Sequence, residues 1–279
     1  MNRTEMAAIA VFAVLAVLVL SSSLGATPGA SNSPGSATNA AAVSVAPMAA
    51  CTQKNVYLGS AGHFEVLAGT TVTNTGKTTV HGNLGVSPGS AVTGFPPGTV
   101  TGTIDKANTA AASAQRALVT AYNNASGRTN CPIAVAGNLG GQTLGPGLYK
   151  STSSLSISSG ALTLTAHGHP GAVFIFQIAT KFTMSSGRHV ILAGGAQQRN
   201  IYWVVGSSAT LGTTSVLYGT ILAHKSISMA TGAVIHGRAL ANIGAVTMGA
   251  SIVGHAPMGQ PAATPVNVPL PRYVARPFP

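Results

Sequence analysis

Apolar positions and hydroxyl-bearing positions alternate through residues 201–255, and the alternation recurs with a period of about 18 residues, which is short for a repeat protein. Leu211, Met229 and Met248 occupy equivalent positions of successive repeats, with a slip of one position before Met248. A short period built from β-branched residues and small turns is typical of a solenoid. A turn of that length accommodates three strands of about five or six residues, which is a common strand length. The pattern therefore predicts a coil that is triangular in cross-section.

The same pattern occurs earlier in the chain, over residues 57–104. Residues 78–85 (TTVHGNLG) match residues 233–240 (AVIHGRAL) in the order of their β-branched, histidine and glycine positions. This internal match predicts early coils of the same solenoid. The Pro-Pro-Gly at residues 96–98 predicts a turn that takes the chain out of a sheet. Further strands are predicted at residues 147–150, 154–158, 161–165 and 173–178.

Residues 105–126 interrupt the strand pattern with apolar positions at helical spacing. The segment is rich in alanine, the best helix former, and Gly127 supplies a stop signal. We predict one helix of roughly 20 residues along one side of the coil, with Leu118 and Tyr122 facing inward.

The two ends of the chain differ from this predicted folded part. Residues 1–26 combine a polar start, an apolar run and small residues at a cleavage position, which predicts a secretory signal peptide and export. A retained membrane anchor is the alternative, although the apolar run is shorter than the about 20 residues that a span needs. We predict a disordered linker of Ala, Ser, Pro and Gly over residues 27–50, a folded domain over 51–256 and a proline-rich tail over 257–279.

Cys51 and Cys131 are the only cysteines in the chain. An even pair in an exported protein most economically forms one disulfide, which would join the start of the domain to the segment after the helix. A metal or redox role is the alternative, but neither cysteine has a CxxC partner or an adjacent histidine.

Charged side chains are scarce, since three acidic residues stand against 14 Lys and Arg, for a net charge of +11. The surface is therefore expected to consist largely of Ser, Thr, Asn, Gly and Ala. The basic residues are spread singly, without the aromatic interleaving that stacks bases, so a nucleic-acid partner is not predicted. Attraction to an anionic polysaccharide or to a cell envelope stays open.

Five segments of the chain resemble the secreted microbial ice-binding-like family, and they occur in the family's order. They are LGSAGHF (58–64), GNLGVSPGSAVTGFPPGTVTGTI (82–104), PGLYK (146–150), GAVFIFQI (171–178) and SSATLGT (207–213). The resemblance implies a mainly β fold, a right-handed discontinuous triangular β-solenoid (β-helix) with one long α-helix packed alongside. It also implies adsorption to ice, with freezing-point depression, inhibition of recrystallisation or attachment to ice as the result.

The middle strand of each predicted coil presents small hydroxyls outward. In residues 208–212, for example, Ala209 and Leu211 point inward while Thr210 points outward. Alternate side chains lie about 6.6 Å apart along a strand and about 4.8 Å apart between coils, and such a stiff grid is suited to ordered water. The predicted ice-binding face consists of Ser156, Ser158, Thr183, Ser185, Ser208, Thr210, Ser226, Ser228 and Thr247. Serine in place of threonine at several positions, with Lys181 and Lys225 near the edge, predicts weak or moderate activity.

Catalysis is not predicted. After removal of the signal peptide only Glu65 and Asp105 remain as acids, in different elements, so a paired-carboxylate mechanism is not expected. We expect neither a cofactor nor a metal, because the histidines lack metal-ligand spacing. Two hypotheses remain, a monomeric secreted protein that adsorbs to ice and an extracellular adhesive solenoid that binds polysaccharide or cell envelope and ignores ice. Outward Ser and Thr are also ordinary in any solenoid with few charges.

Overall fold

The computed structural model describes residues 51–255. The predicted signal peptide (1–26), linker (27–50) and tail (257–279) lie outside these residues. No helix in the described part of the chain is long and apolar enough to cross a membrane.

The described chain consists of 23 short strands, one α-helix and two 3-10 helices, which occupy Gly59–His63 and Gln198–Asn200. The strands before the helix are β1 (Phe64–Ala68), β2 (Thr71–Asn74), β3 (Thr79–His81), β4 (Asn83–Val86), β5 (Ala91–Thr93), β6 (Thr99–Val100) and β7 (Ile104–Lys106). The helix, α1, spans Thr109–Ser126. The strands after it are β8 (Pro132–Ala134), β9 (Gly137–Asn138), β10 (Thr143–Leu144), β11 (Gly147–Ser151), β12 (Leu155–Ile157), β13 (Leu162–Thr165), β14 (Phe174–Ile178), β15 (Phe182–Met184), β16 (Val190–Ala193), β17 (Ile201–Val205), β18 (Ala209–Leu211), β19 (Val216–Ala223), β20 (Ile227–Met229), β21 (Val234–Ala241), β22 (Val246–Met248) and β23 (Ile252–Gly254).

Every ladder between neighbouring coils is parallel, and the coils present three faces. One face is an eight-stranded sheet in the order β5-β2-β22-β20-β18-β15-β12-β9. A 12-stranded sheet forms the second face and part of the third, because β19 and β21 bend at Gly219 and Gly237, whose φ angles are 112° and 145°. The three-stranded sheet β10-β13-β16 completes the third face. The predicted triangular β-solenoid is confirmed.

The solenoid is discontinuous, as predicted, because its first coil stacks on its last. Strand β1 pairs with β21, β2 with β22 and β3 with β23. After β7 the chain passes through α1 and starts again at β8, at the opposite end of the ladder. The coils then stack back toward the first one, so the match between residues 78–85 and 233–240 reflects equivalent positions two coils apart.

Coil length varies along the stack, and coils of about 18 residues lie on both sides of two longer ones. Ala209 pairs with Ile227, 18 positions later, and Ile227 pairs with Val246, 19 positions later. The residues that precede these strands, Ser208, Ser226 and Ala245, have the same spacing. The earlier coils, in which Leu155 pairs with Phe182 and Phe182 with Ala209, are half as long again. These longer coils place their extra residues in the loops after β13 and β16.

Inward-facing residues from all three faces form one continuous apolar core. At its centre the rings of Tyr149, Phe176 and Trp203 stack on successive coils, with centroids 5.0 and 4.2 Å apart. Burial of such large rings contributes strongly to stability. The indole nitrogen of Trp203 donates to the carbonyl of Tyr218 at 3.0 Å, so its polar group is satisfied.

The helix packs on the outer side of the second face and forms a separate apolar cluster with it. Leu118 is fully buried, as predicted, whereas Tyr122 is half-buried. The helix begins at Thr109 and not at residue 105, because residues 104–106 form β7 and pair with β4. Asn108 caps the helix by accepting a hydrogen bond from the Ala111 amide at 2.9 Å.

Two further predicted features are found near the ends of the described chain. Cys51 and Cys131 form the predicted disulfide, with their Cα atoms 5.8 Å apart. It links the start of the domain to the segment just before β8. The Pro-Pro-Gly at 96–98 lies between β5 and β6, so the turn takes the chain from one sheet to the next within the same coil.

A buried polar cluster fastens the first coil to the last. Glu65 is 9% exposed, and its Oε1 accepts from His255 Nδ1 at 3.0 Å. Arg238 contacts His255 Nε2 at 3.1 Å through Nη1 and donates to the Gly62 carbonyl through Nε, also at 3.1 Å. Arginine can only donate and a carboxylate can only accept, so these contacts require the His255 proton on Nδ1.

Replacing Glu65 with Gln removes the only negative charge in this cluster. We expect the free energy of unfolding to fall by about 1.5 to 3 kcal/mol, the usual contribution of a hydrogen bond to a charged group. Urea denaturation monitored by circular dichroism measures this loss. Asp105→Asn is the matched control, since Asp105 is less buried, and it should cost less. Equal losses in the two variants would contradict a fastening role for Glu65.

Candidate functional site

One row of small polar side chains runs along the centre of the eight-stranded sheet and crosses all of its strands. The ladder pairs Ser156 with Thr183, Thr183 with Thr210 and Thr210 with Ser228. It continues through Thr247 to the first two coils. In spatial order this row, which we call the central rank, is Asn138, Ser156, Thr183, Thr210, Ser228, Thr247, Thr73 and Thr93.

The strand alternation holds the central rank outward. In β15, β18, β20 and β22 the residues on both sides of the central position are buried and the central residue is exposed. For example, Ala209 and Leu211 enter the core on either side of Thr210. Neighbouring members of the rank are one coil apart, about 4.8 Å. The result is a straight row of short side chains with uniform spacing.

Most hydroxyls in the middle of the central rank have no intramolecular partner. The side chains of Thr183, Thr210, Ser228 and Thr247 make no hydrogen bond to any other described residue. Ser156 differs, because its Oγ donates to the Gly137 carbonyl at 3.3 Å. The free hydroxyls are therefore available to solvent, and each threonine adds a methyl group held by its β-branched rotamer.

Ser208 and Ser226 occupy a parallel row beside the central rank, and their hydroxyls are already engaged. Ser208 Oγ accepts from the Ser226 amide at 3.3 Å, and Ser226 Oγ accepts from the Ala245 amide at 3.2 Å. Both were predicted as members of the face. They lie on the same sheet beside the central rank, are half-buried, and connect each coil to the next.

Ser158 and Ser185 lie in the row on the other side of the central rank. The backbone amide of Ser185 donates to Ile157 at 3.0 Å, which extends the ladder past the end of β12. The equivalent positions in the following coils are Gly212, Ala230 and Gly249, which carry no hydroxyl. Thr75 continues this row on the first coil, because its amide donates to the Met248 carbonyl. The row therefore lacks hydroxyls in its middle, whereas the central rank has a polar side chain on every coil.

Three members of the central rank were not predicted, namely Thr73, Thr93 and Asn138. The Val72-Thr73 pair reproduces Val246-Thr247, so the local signal was present in the sequence. It could not be aligned because the two paired strands come from opposite ends of the described chain. Asn138 belongs to a two-residue strand with no alternation to read. Thr71 and Thr75 add further hydroxyl residues beside Thr73.

The other two faces do not offer a comparable surface. The helix α1 covers the second face. The third face carries bulkier side chains, with Ile191 and Ile252 each 43% exposed and the rings of Tyr218 and His236 stacked at 4.7 Å. Burial lowers the pKa of His236 and raises that of Tyr218, so both are uncharged near neutral pH.

Charge is absent from the central rank itself. Lys181 immediately precedes β15, in the same row as Ser208, and so lies on the face beside Thr183. Lys225 lies one residue further out, in the corner before Ser226. Among residues 51–255 no group of three or more His, Cys, Asp or Glu side chains could hold a metal ion. The chemistry available at this surface is hydrogen bonding by uncharged side chains, with no paired acid and base.

Comparison with known proteins matches most of the described chain. Residues 66–254 match the family model described as "Ice-binding-like". The chain is 46% identical over 200 residues to an ice-binding protein of Nostoc sp. (strain HG1), covering 71% of this chain and 74% of that protein. It is 40% identical over 208 residues to one of Flavobacterium frigoris (strain PS1), covering 69% and 74%. The crystal structure of an ice binding protein from an Antarctic biological consortium superposes with a TM-score of 0.72 at 49% identity, over 73% of this chain and 92% of that one.

The two rows of serines should respond differently to truncation. Ser226→Ala leaves the Ala245 amide without its acceptor, so we expect a loss of about 0.5 to 1.5 kcal/mol in the free energy of unfolding. Ser228→Ala removes an outward hydroxyl with no partner and should leave stability nearly unchanged. Chemical denaturation of the two variants side by side makes the comparison. A greater loss for Ser228→Ala would show that the roles are assigned to the wrong row.

Proposed function

This chain belongs to the ice-binding-like family, and we propose that it adsorbs to ice through the central rank of its eight-stranded sheet. Adsorption at this surface would inhibit ice growth and recrystallisation. The working residues in this proposal are Ser156, Thr183, Thr210, Ser228 and Thr247 from the predicted set. Thr73, Thr93 and Asn138 extend the surface across the first two coils and to the opposite end.

The register of the eight-stranded sheet is the observation that supports this assignment. Eight small uncharged side chains follow one another on consecutive coils, so the spacing between them is set by backbone hydrogen bonds. Side chains with this regularity can hold water molecules in a repeating arrangement. The short hydroxyls bind water weakly enough to accept the order of a crystal, whereas charges would impose their own hydration shells.

Threonine suits this role better than serine for a physical reason. Its β-branched side chain has restricted rotamers, so the hydroxyl and the methyl keep fixed positions on the surface. Five members of the central rank are threonines, and Thr73, Thr93 and Thr247 lie on three neighbouring coils. We assign the strongest contact with ice to this end of the sheet. Ser228 and Ser156 lack the methyl, and Lys181 adds a charge beside Thr183, so moderate activity is expected.

We also propose that the protein is exported and works as a monomer outside the cell. The Cys51–Cys131 disulfide supports export, because disulfides persist in oxidising compartments. In this assignment residues 1–26 are the signal peptide, residues 27–50 the linker and residues 257–279 the tail. We assign no enzymatic reaction, since the two carboxylates in residues 51–255 lie in different strands, β1 and β7, and neither belongs to the proposed face.

Bulky substitution of the central rank tests the proposed face. Thr210→Tyr combined with Ser228→Tyr should abolish most of the recrystallisation inhibition and crystal faceting, because the rings hold the flat surface away from ice. The melting temperature should change little, since both positions point outward. Thr163→Tyr is the matched control: this threonine points outward on the third face, where the substitution should leave ice activity intact.

Two results would count against this assignment. If the double variant remains as active as the unsubstituted protein, the central rank is not the ice-binding surface. If the unsubstituted protein leaves ice growth unchanged at high concentration and is instead retained on anionic polysaccharide in a salt-sensitive way, the adhesive alternative is correct.

The positive charge of Lys181 beside Thr183 provides a second test, in which the ice activity should increase. Lys181→Thr should increase recrystallisation inhibition, because it replaces a strongly hydrated ammonium beside Thr183 with a side chain like those of the central rank. Lys225→Thr removes the same charge from the neighbouring corner and should have little effect. Both are measured by serial dilution in an ice-recrystallisation assay. Equal gains would point to net charge and not to the position of Lys181.

A further inference from the structure

A groove of about 320 Å³ lies between α1 and the corner loops of three stacked coils. The loops are those that follow β1, β4 and β21. Ser87, Gln115 and Asn242 contribute polar groups to the lining, and Arg116 adds a charge. Val119 and Ile243 supply apolar surface and are 39% and 54% exposed. This volume lies at the lower end of the range for small-molecule sites.

Several polar groups in the groove have no partner within the protein. Gln115 is 8% exposed, and it donates from Nε2 to the Ala241 carbonyl at 3.2 Å while its buried Oε1 accepts nothing. The Ser87 hydroxyl and the Asn242 amide make no side-chain hydrogen bond to any described residue, although Ser87 is only 6% exposed. Buried polar groups are normally paired. The unpaired side chains of Ser87 and Asn242 on one concave surface indicate a ligand with hydroxyl groups.

The positive charge of Arg116 in the groove favours a ligand that carries a negative charge. Arg116 makes no side-chain contact with an acid in the described chain, where the two carboxylates are engaged elsewhere. Glu65 contacts His255, and Asp105 accepts from Asn108 at 2.6 Å. A free guanidinium beside a hydroxyl-binding surface favours a carboxylate in the ligand, which it can bind through two parallel hydrogen bonds.

We propose that this groove binds a sugar unit that carries a carboxylate, such as a uronic acid. Arg116 binds the carboxylate, Ser87 and Asn242 bind ring hydroxyls, and Val119 and Ile243 contact the apolar face of the ring. The groove opens beside α1, at the corner between the second face and the eight-stranded sheet. It shares no residue with the central rank, so sugar binding and the proposed adsorption to ice involve separate surfaces.

Titration of the ¹⁵N-labelled mature protein with methyl glucuronide and methyl glucoside tests the site. We expect saturable amide shifts in residues 69–70, 87, 115–119 and 242–243, with the glucuronide binding more tightly. Arg116→Gln should weaken glucuronide binding about threefold to tenfold and leave glucoside binding unchanged. Ser87→Ala should weaken binding of both sugars, because each loses a hydroxyl contact.

Controls separate a specific site from general attraction to a basic protein. Lys77→Gln removes the same charge from the corner between β2 and β3 and should leave both affinities unchanged. A uronic acid oligomer that binds more tightly than the methyl glucuronide identifies a polysaccharide as the source, and equal affinity identifies a single sugar. Both outcomes support the groove. Absence of saturable shifts, or equal weakening by Arg116→Gln and Lys77→Gln, overturns the proposal whether or not the protein binds ice.

Discussion

Parallel backbone pairing between successive coils is the constraint on which the rest of the structure depends. It fixes the rise of each coil at about 4.8 Å and keeps the central strands of the eight-stranded sheet in constant register from one coil to the next. The packing of the core depends on this pairing, because the rings of Tyr149, Phe176 and Trp203 can stack only if their strands are aligned in register. The central rank follows from it as well. A regular row of outward side chains thus requires no special arrangement beyond a small polar residue at the same position of each coil.

The coils differ in length mainly at the corners, because backbone pairing between strands does not restrict the length of the loops there. The loops after β13 and β16 lengthen two coils without moving a single member of the central rank. The corner loops beside α1 form the groove in the same manner, since residues between strands are free to carry Ser87, Asn242 and Ile243. The faces thus carry regular rows of side chains, and the corners carry loops of irregular length and composition. The serines in the row beside the central rank connect these two regions, as Ser208 and Ser226 bond to the backbone of the next coil.

Much of this fold could be predicted from the sequence because its signals are local. The short period that relates Leu211 to Met229, the alanine-rich helix and the pair Cys51 and Cys131 each correspond to an observed feature. The predicted central positions Thr183, Thr210, Ser228 and Thr247 lie in one row for the same reason. Thr73 and Thr93 belong to the central rank because β2 pairs with β22, a strand far away in the sequence. A local repeat in the sequence does not indicate such a pairing. The engagement of Ser226 depends on a hydrogen bond to the next coil, and alternation alone cannot distinguish an outward hydroxyl that is free from one that is bonded.

The stacking of the first coil on the last also restricts how such a molecule can change in size during evolution. In an ordinary solenoid a repeat can be gained or lost at either terminus. Here the final coil lies between the first coil and the rest of the ladder, so lengthening the chain past β23 adds nothing to the ladder. A longer face requires an extra coil within the chain, either after β5–β7 or between β8 and β21, with a matching change in α1, which must still return the chain along the full stack. A change in the length of this face therefore requires coordinated changes in the ladder and in the helix, which a solenoid with free ends does not need.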